Sequence, residues 1–263
     1  MQKLILITGS TDGIGLEAAK RLSEKGHNIL LHGRNPAKLD AAIRMLGGDA
    51  QGFIADLSKL ADVEMLANSV AAKHKKLDVL INNAGVFKTP DPITPEGLDV
   101  RFVVNTLAPY ALTKHLLALM DASGRIINVS SAAQAPVNLQ AVAGQVRLSD
   151  MDAYAQSKLA ITIWSRELAK KLPDGPVVVA VNPGSMLASK MVKEGFGVAG
   201  NDLGIGADVL SRAALSDEFA GASGRYFDND SGRFAEPHPD ALDAQKSKPV
   251  MSVIEDVLAG TTR

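Results

Sequence analysis

Two segments place a tyrosine four residues before a lysine: Tyr154-Ala155-Gln156-Ser157-Lys158 and Tyr110-Ala111-Leu112-Thr113-Lys114. On a helix this spacing puts both side chains on one face, about 6 Å apart along the axis. A tyrosine hydroxyl ordinarily titrates near pH ~10, so it exchanges protons near neutrality only if its anion is stabilised. A neighbouring ammonium does that, and so does the positive ring of an oxidised nicotinamide. The pattern also fits an ordinary helical tyrosine beside a solvated lysine, and context separates the two copies. Ahead of Tyr154 a strand-like run, residues 125–130, delivers Ser130 and Ser131 to its C-terminal end. In an open α/β sheet that edge is where ligands bind. Tyr110 follows Pro109 and has no such partner upstream, so packing accounts for it.

A second constellation binds rather than reacts. Thr8-Gly9-Ser10-Thr11-Asp12-Gly13-Ile14-Gly15 follows an apolar run (residues 3–8) and opens a helical pattern (14–25). Backbone N–H groups at a helix N-terminus attract phosphate, and glycine lets a pyrophosphate come close. The spacing is GxxxGxG, not the general GxGxxG fingerprint. A tight strand–helix turn would use the same glycines, but its place in the first βα unit favours a phosphate. The next strand ends His32-Gly33-Arg34. At that position an acidic residue holds ribose hydroxyls, whereas an arginine accommodates a 2′-phosphate. Arg34, with Lys38 four residues on, favours NADP(H) over NAD(H).

The elements that must position these residues alternate regularly. Strands are expected at 3–8, 28–32, 51–55, 77–82, 125–130, 177–182 and 224–227. Helices are expected at 14–25, 36–46, 60–73, 98–120 (bent or divided by Pro109) and 150–172, with short helices after Glu236 punctuated by Pro237, Pro239 and Pro249. Continuous apolar strands alternating with helices predict a doubly wound α/β Rossmann fold, with a parallel sheet of about seven strands and helices on both faces. All 263 residues fit one domain, with a glycine-rich substrate lobe near 185–206. The chain has no Cys and five scattered His, which excludes disulfides, a thiolate nucleophile and thiolate metal sites. A net charge of −1 and 4% aromatic residues give no footprint for nucleic acid. No apolar run nears the ~20 residues of a membrane span. No signal peptide is expected before the first strand, and a cytoplasmic location without a membrane anchor follows as an expectation.

Together these motifs resemble the short-chain dehydrogenase/reductase family. The matching segments are TGSTDGIG at 8–15, Asp56-Leu57, NNAG at 82–85, Asn105, GRIINVSS at 124–131, YAQSK at 154–158 and NPG at 182–184. They keep the family's order and span nearly the whole chain. The resemblance implies a role for each. Gly9, Ser10, Thr11, Asp12, Gly13, Ile14 and Gly15 form the phosphate turn, and Arg34 stands near the adenosine ribose. Asp56 and Leu57 flank the adenine, Asn83, Ala84 and Gly85 line the cofactor cleft, and Pro183 and Gly184 begin the loop beside the nicotinamide. Ser131, with Ser130 as the neighbouring alternative, would hold the substrate oxygen. Tyr154 would transfer the proton. Lys158 would bind the nicotinamide ribose, and Asn105 would hold a water linking Lys158 to solvent.

The long interval from Ser131 to Tyr154, and SGRYFDND at 223–230, are similar to the branch containing retinol dehydrogenases and protochlorophyllide reductases. A chain without Cys lacks the cysteines associated with protochlorophyllide reduction. Two positions depart from the family. Asp12 stands where many NADP-dependent members carry a basic residue, which counts against NADP. Ala188 replaces a Thr that often contacts the nicotinamide amide, leaving Ser189 or a backbone group to substitute. The function expected is reversible NADPH-dependent reduction of a ketone or aldehyde, with a non-catalytic NADP(H)-binding regulator or a methyltransferase on a similar sheet as alternatives. Residues 133–150 and Met186, Leu187, Met191, Val192, Phe196 and Val198 are the expected substrate walls; their apolar character fits a partly lipophilic substrate and equally fits core packing. Monomer and homodimer both remain open.

Overall fold

Side chains alternate across the strands, and this alternation sets the layers. In β1 (Leu4–Ile7), Ile5 and Ile7 enter one core while Leu6 enters the other. The same split recurs in β4 (Val79–Asn82), β5 (Arg125–Val129) and β6 (Val177–Asn182), with Leu80, Ile126 and Val178 on the face of Leu6. Strands buried on both faces need a cover on both. The computed structural model describes residues 1–188, 197 and 199–261. With β2 (Asn28–Gly33), β3 (Gln51–Ile54), β7 (Tyr226–Asp228) and β8 (Arg233–Ala235), the strands form one sheet in the order β3-β2-β1-β4-β5-β6-β7-β8. The pairings from β3 to β7 are parallel. β8 runs antiparallel to β7, with Tyr226 opposite Ala235. This eighth strand extends the expected seven; three residues are too few for a periodic signal.

α1 (Gly13–Glu24), α2 (Pro36–Leu46) and α8 (Leu203–Leu215) cover the face of Ile5 and Ile7. α3 (Leu60–Lys73), α5 (Ala108–Leu116), α7 (Asp150–Lys171) and α9 (Ala244–Thr261) cover the face of Leu6. α4 (Val100–Phe102) and α6 (Leu139–Val142) are short connectors. β1 lies between β2 and β4, so the chain winds outward to both sides from it. The C-terminal ends of β1 and β4 are therefore the crevice of a doubly wound sheet.

Three elements differ from expectation. Residues 98–120 do not form one helix: between α4 and α5 the backbone makes a π-helical turn, Val103–Leu107, and a 3₁₀ turn, Leu117–Leu119, follows α5. Pro109 offers no N–H and crowds the carbonyl four residues earlier, that of Asn105. The widened turn, in which the Ala108 N–H reaches the Val103 carbonyl, makes room for the ring. The end of the expected lobe is helix instead. Asp202 caps α8 by accepting the Gly204 N–H at 2.8 Å. Gly206 lets α8 lie close, because a Cβ there would sit 2.7 Å from Leu187 and 3.1 Å from Ile14. Finally, the expected short C-terminal helices include one of 18 residues, α9, with Pro249 inside it. Its Val250 and Ile254 join the core of Trp164, and Tyr110 donates to Glu255 Oε1 at 2.8 Å.

Candidate active site

The glycine turn is shaped from both sides. Gly9 has φ +64, and a Cβ there would lie 2.9 Å from Ala84 Cα. At Gly15 a Cβ would lie 2.4 Å from both the Gly9 carbonyl oxygen and Asn83 Nδ2. Any side chain at either position fills the cradle. Thr8 Oγ1 accepts the N–H groups of Asn83 and Ala84 at 3.0 and 3.1 Å, and Asn83 Nδ2 donates to the carbonyls of Thr8 and Gly9 at 2.9 and 3.0 Å. The end of β4 (Asn83, Ala84, Gly85) is thereby laced to the turn after β1. Ser10 faces inward and is fully buried: its Oγ donates to the Ile7 carbonyl at 2.8 Å and accepts the His32 N–H at 2.9 Å.

His32 is a functional neighbour that the sequence did not mark. Its Nδ1 accepts the Gly9 N–H at 3.1 Å, which puts the ring proton on Nε2, 3.1 Å from the Ala55 carbonyl. Burial pushes its pKa down to about 4, so the ring is a neutral strut between turn, β2 and β3. A lone buried histidine has no motif spacing; only its place at the end of β2 could have shown it.

The charged residues divide. Asp12 caps α1, accepting the Gly13 N–H at 2.8 Å, and its other oxygen pairs with Lys38 at 3.0 Å. Arg34 is exposed at the end of β2 and has no hydrogen bond or ion pair with a described residue. Gly33 carries no Cβ because Thr11 Cγ2 would be 2.4 Å from it. Asp56 turns its carboxylate to the Ser58 N–H and hydroxyl at 3.1 and 2.8 Å, and Leu57 is buried beside it.

The second cluster forms where α7 crosses the ends of β4 and β5. Ser149 caps α7 by accepting the Asp152 N–H at 3.2 Å, and the buried Arg101, held by Asp99, pairs with Asp150. Tyr154 and Lys158 follow on one face. Tyr154 packs edge-on against Phe87 with ring centres 5.3 Å apart, and Lys158 Nζ lies 5.7 Å from its ring centre. Lys158 is 3% exposed; its Nζ donates to the Val129 carbonyl at 2.7 Å, and burial lowers its pKa to about 8. Burial raises the Tyr154 pKa, and a hydrogen bond with the Ser131 hydroxyl works against that rise. Ser130 points the other way, to the Lys158 carbonyl at 3.0 Å and Thr162 Oγ1 at 2.7 Å. The two serines are thus told apart: Ser131 is the one beside Tyr154.

Asn105 sits in the π turn, fully buried. Its Oδ1 accepts the Val86 N–H at 2.8 Å, and its Nδ2 donates to the Val86 carbonyl and to Ser157 Oγ, both at 2.9 Å. The other tyrosine–lysine pair lies outside the crevice: Tyr110 bonds Glu255 and packs on Trp164, with Lys114 5.5 Å from its ring centre. A buried polar row also escaped sequence reasoning. Asn82 donates to Asn128 Oδ1 at 2.8 Å and to Thr113 at 3.1 Å, and Asn128 donates to Ser165 at 2.8 Å, tying β4 and β5 to α7 beneath the cluster.

Pro183 and Gly184 leave β6 toward the crevice. Pro183 is buried with its carbonyl accepting Asn229 Nδ2 at 2.9 Å, and Gly184 has φ +118. Asp230 receives the Ser185 N–H and hydroxyl at 2.7 and 2.5 Å. The Ala188 N–H donates to the Asn201 carbonyl at 2.6 Å, while Ser189, Met191, Val192, Phe196 and Val198 lie outside the described residues. Among the described residues no group of acidic or histidine side chains could hold a metal, and no helix is long and apolar enough to cross a membrane.

Comparison with known proteins gives the same answer from another direction. A family model described as short chain dehydrogenase matches residues 3–196. Retinol dehydrogenase 13 of Homo sapiens is 31% identical, over 94% of this chain and 81% of its own. The solved structure of an uncharacterized protein from Mycobacterium paratuberculosis superposes with a TM-score of 0.82 at 28% identity, covering 98% of this chain and 94% of the other. A metagenomic short-chain oxidoreductase in complex with NADP superposes at 0.62 with 30% identity, covering 81% and 90%. Cradle, crevice and sequence kinship converge: the chain belongs to the short-chain dehydrogenase family and is an NAD(P)-dependent oxidoreductase.

Proposed function

We propose that the protein reduces a ketone or aldehyde to an alcohol with NADPH, reversibly, through Ser131, Tyr154, Lys158 and Asn105. The observation that carries this reading is the buried Lys158 ammonium beside Tyr154, with Ser131 on the tyrosine hydroxyl. A protein that only stored a nucleotide would have no use for a serine and a buried ammonium gathered about one tyrosine, which disfavours a regulatory role. A methyltransferase would leave the same pair without a task.

The residues fit a dinucleotide. Gly9 and Gly15 leave no room for a side chain in the turn, Gly13 opens α1 at φ +56, and the N-terminus of α1 faces the turn. Ser10 shapes the turn from within, Thr11, Asp12 and Ile14 form its rim, and Asp56, Leu57, Asn83, Ala84 and Gly85 border the adenosine side. Pro183 and Gly184 would lie along the nicotinamide. Arg34 supports NADP(H) over NAD(H), because it is exposed and uncommitted at the end of β2. Lys38 pairs with Asp12 rather than standing beside Arg34, so the preference rests on Arg34.

When bound, the dihydronicotinamide supplies a hydride. The chain supplies the rest. Ser131 and Tyr154 hold the carbonyl oxygen, and Tyr154 releases its phenolic proton to that oxygen as charge develops. Lys158 stabilises the resulting phenolate and holds ribose hydroxyls. A proton returns to Tyr154 by way of Lys158 and a water. Asn105 spends its side chain on Val86 and Ser157, so its carbonyl, for which Pro109 offers no N–H at the usual four-residue step, is the group suited to hold that water. A partly lipophilic substrate is in keeping with relatives named retinol dehydrogenases. A panel of aldehydes and ketones tests the reading: NADPH is consumed with at least one class, faster than NADH. Cofactor binding without turnover on every class would favour the regulator.

A further inference from the structure

Ser131 is held at three points, and one holder comes from outside the span matched by the family model. That model ends at residue 196. Tyr226, on β7, is 5% exposed and donates its hydroxyl to the Ser131 carbonyl at 3.1 Å. Gln134 Nε2 donates to the same carbonyl at 2.9 Å, while Gln134 Oε1 accepts the His238 N–H at 3.4 Å. Both lone pairs of the Ser131 carbonyl are therefore occupied. The Ser131 hydroxyl also accepts the Ala133 N–H at 3.1 Å. One lone pair and the O–H remain, and these meet Tyr154 and an incoming oxygen.

Burial and the nearby carboxylates of Asp228 and Asp230 raise the Tyr226 pKa above the ordinary tyrosine value, against a smaller opposing effect of the Gln134 side chain, so its hydroxyl stays a neutral donor at any working pH. Ser131 follows the end of β5 and Tyr226 lies on β7, with β6 between the two strands, so the bond spans the sheet edge above β6. Packing alone does not call for a hydroxyl at residue 226: the neighbouring Phe227 fills its core site with a bare ring.

We propose that Tyr226 is a positioning residue, which fixes the Ser131 backbone so that the Ser131 hydroxyl meets Tyr154 and the substrate oxygen. It rests on the role given to Ser131 above. The charged group against the Tyr154 ring is Lys158, and Phe87 packs against the same ring. Loosening Ser131 removes the hydrogen bond that favours the tyrosinate.

The test is a cycle of Tyr226→Phe, Ser131→Ala and the double variant, assayed with NADPH and an aldehyde accepted by the wild type. Tyr226→Phe is expected to lower kcat about tenfold, the scale of one lost hydrogen bond, with KM for NADPH unchanged. The double variant is expected to be no slower than Ser131→Ala alone, because the two act as one unit. A second readout needs no turnover. The ultraviolet tyrosinate transition assigned to Tyr154, by its loss in Tyr154→Phe, moves to higher pH in Tyr226→Phe. Wild-type kcat and an unmoved tyrosinate transition in a folded Tyr226→Phe protein overturn the proposal, as does a double variant tenfold slower than Ser131→Ala. Full turnover in Ser131→Ala would instead overturn the role of Ser131 itself.

Discussion

At the level of single residues, the candidate site keeps one charge where it is uncomfortable. Lys158 is buried with a single carbonyl partner, and its pKa falls from the ordinary lysine range to about 8. In the unfolded chain the same side chain titrates near ~10.4. Between these values the unfolded chain binds the extra proton, so the ammonium's cost to the fold is greatest below about pH 8 and disappears as the pH rises past the unfolded value. At the acid end the cost is about 3 kcal/mol, because each tenfold loss of proton affinity is worth ~1.4 kcal/mol. The cofactor-free Lys158→Met variant is therefore expected to unfold at higher urea than the wild type at pH 7, with the gap closing toward pH 10. Equal midpoints at both pH values would show that Lys158 is not destabilising. A function that accepts such a cost explains why the lysine survives there.

At the scale of elements, the cradle is a matter of missing side chains. Gly15→Ala would drive a methyl against the Gly9 carbonyl and Asn83, whereas Gly221 has open space around it. NADPH affinity, measured by fluorescence titration, is expected to fall at least about tenfold, some 1.4 kcal/mol, in Gly15→Ala and to hold in Gly221→Ala. Equal affinities would remove the cradle from the account. The cradle, the strands β1 to β6 and the Tyr154–Lys158 pair were legible in the sequence because each is local: an apolar run, a glycine spacing, a four-residue step on one helix. The π turn was half legible. Pro109 announced a break, but not that the helix would widen rather than bend. β8, α8 and His32 were not legible. β8 is too short for a period, α8 begins in glycines that suggest a loop, and His32 matters only through Gly9 and Ala55, which the fold brings to it. Tyr226 is the extreme case, since its partner lies 95 residues earlier.

At the scale of the whole molecule, the sheet divides labour along its C-terminal edge. β1 to β4 present the glycine turn, β5 and α7 the cluster of Ser131, Tyr154 and Lys158 proposed to transfer the proton, and β6 with β7 the loop that begins at Pro183. α9 then lies over α7 and α6, burying Val250, Met251 and Ile254, and Glu255 accepts a hydrogen bond from Tyr110 of α5. That packing gives the outer face of these helices a cover from the same chain, and light scattering is expected to return the mass of one chain, 27.6 kDa. A stable dimer would mean that another surface assembles. Tyr154→Phe decides the role proposed for that tyrosine, with NADPH binding and aldehyde reduction measured on the same sample. NADPH affinity is expected to be unchanged and turnover lowered about a thousandfold, the worth of a positioned general acid. Wild-type turnover in that variant would contradict that role.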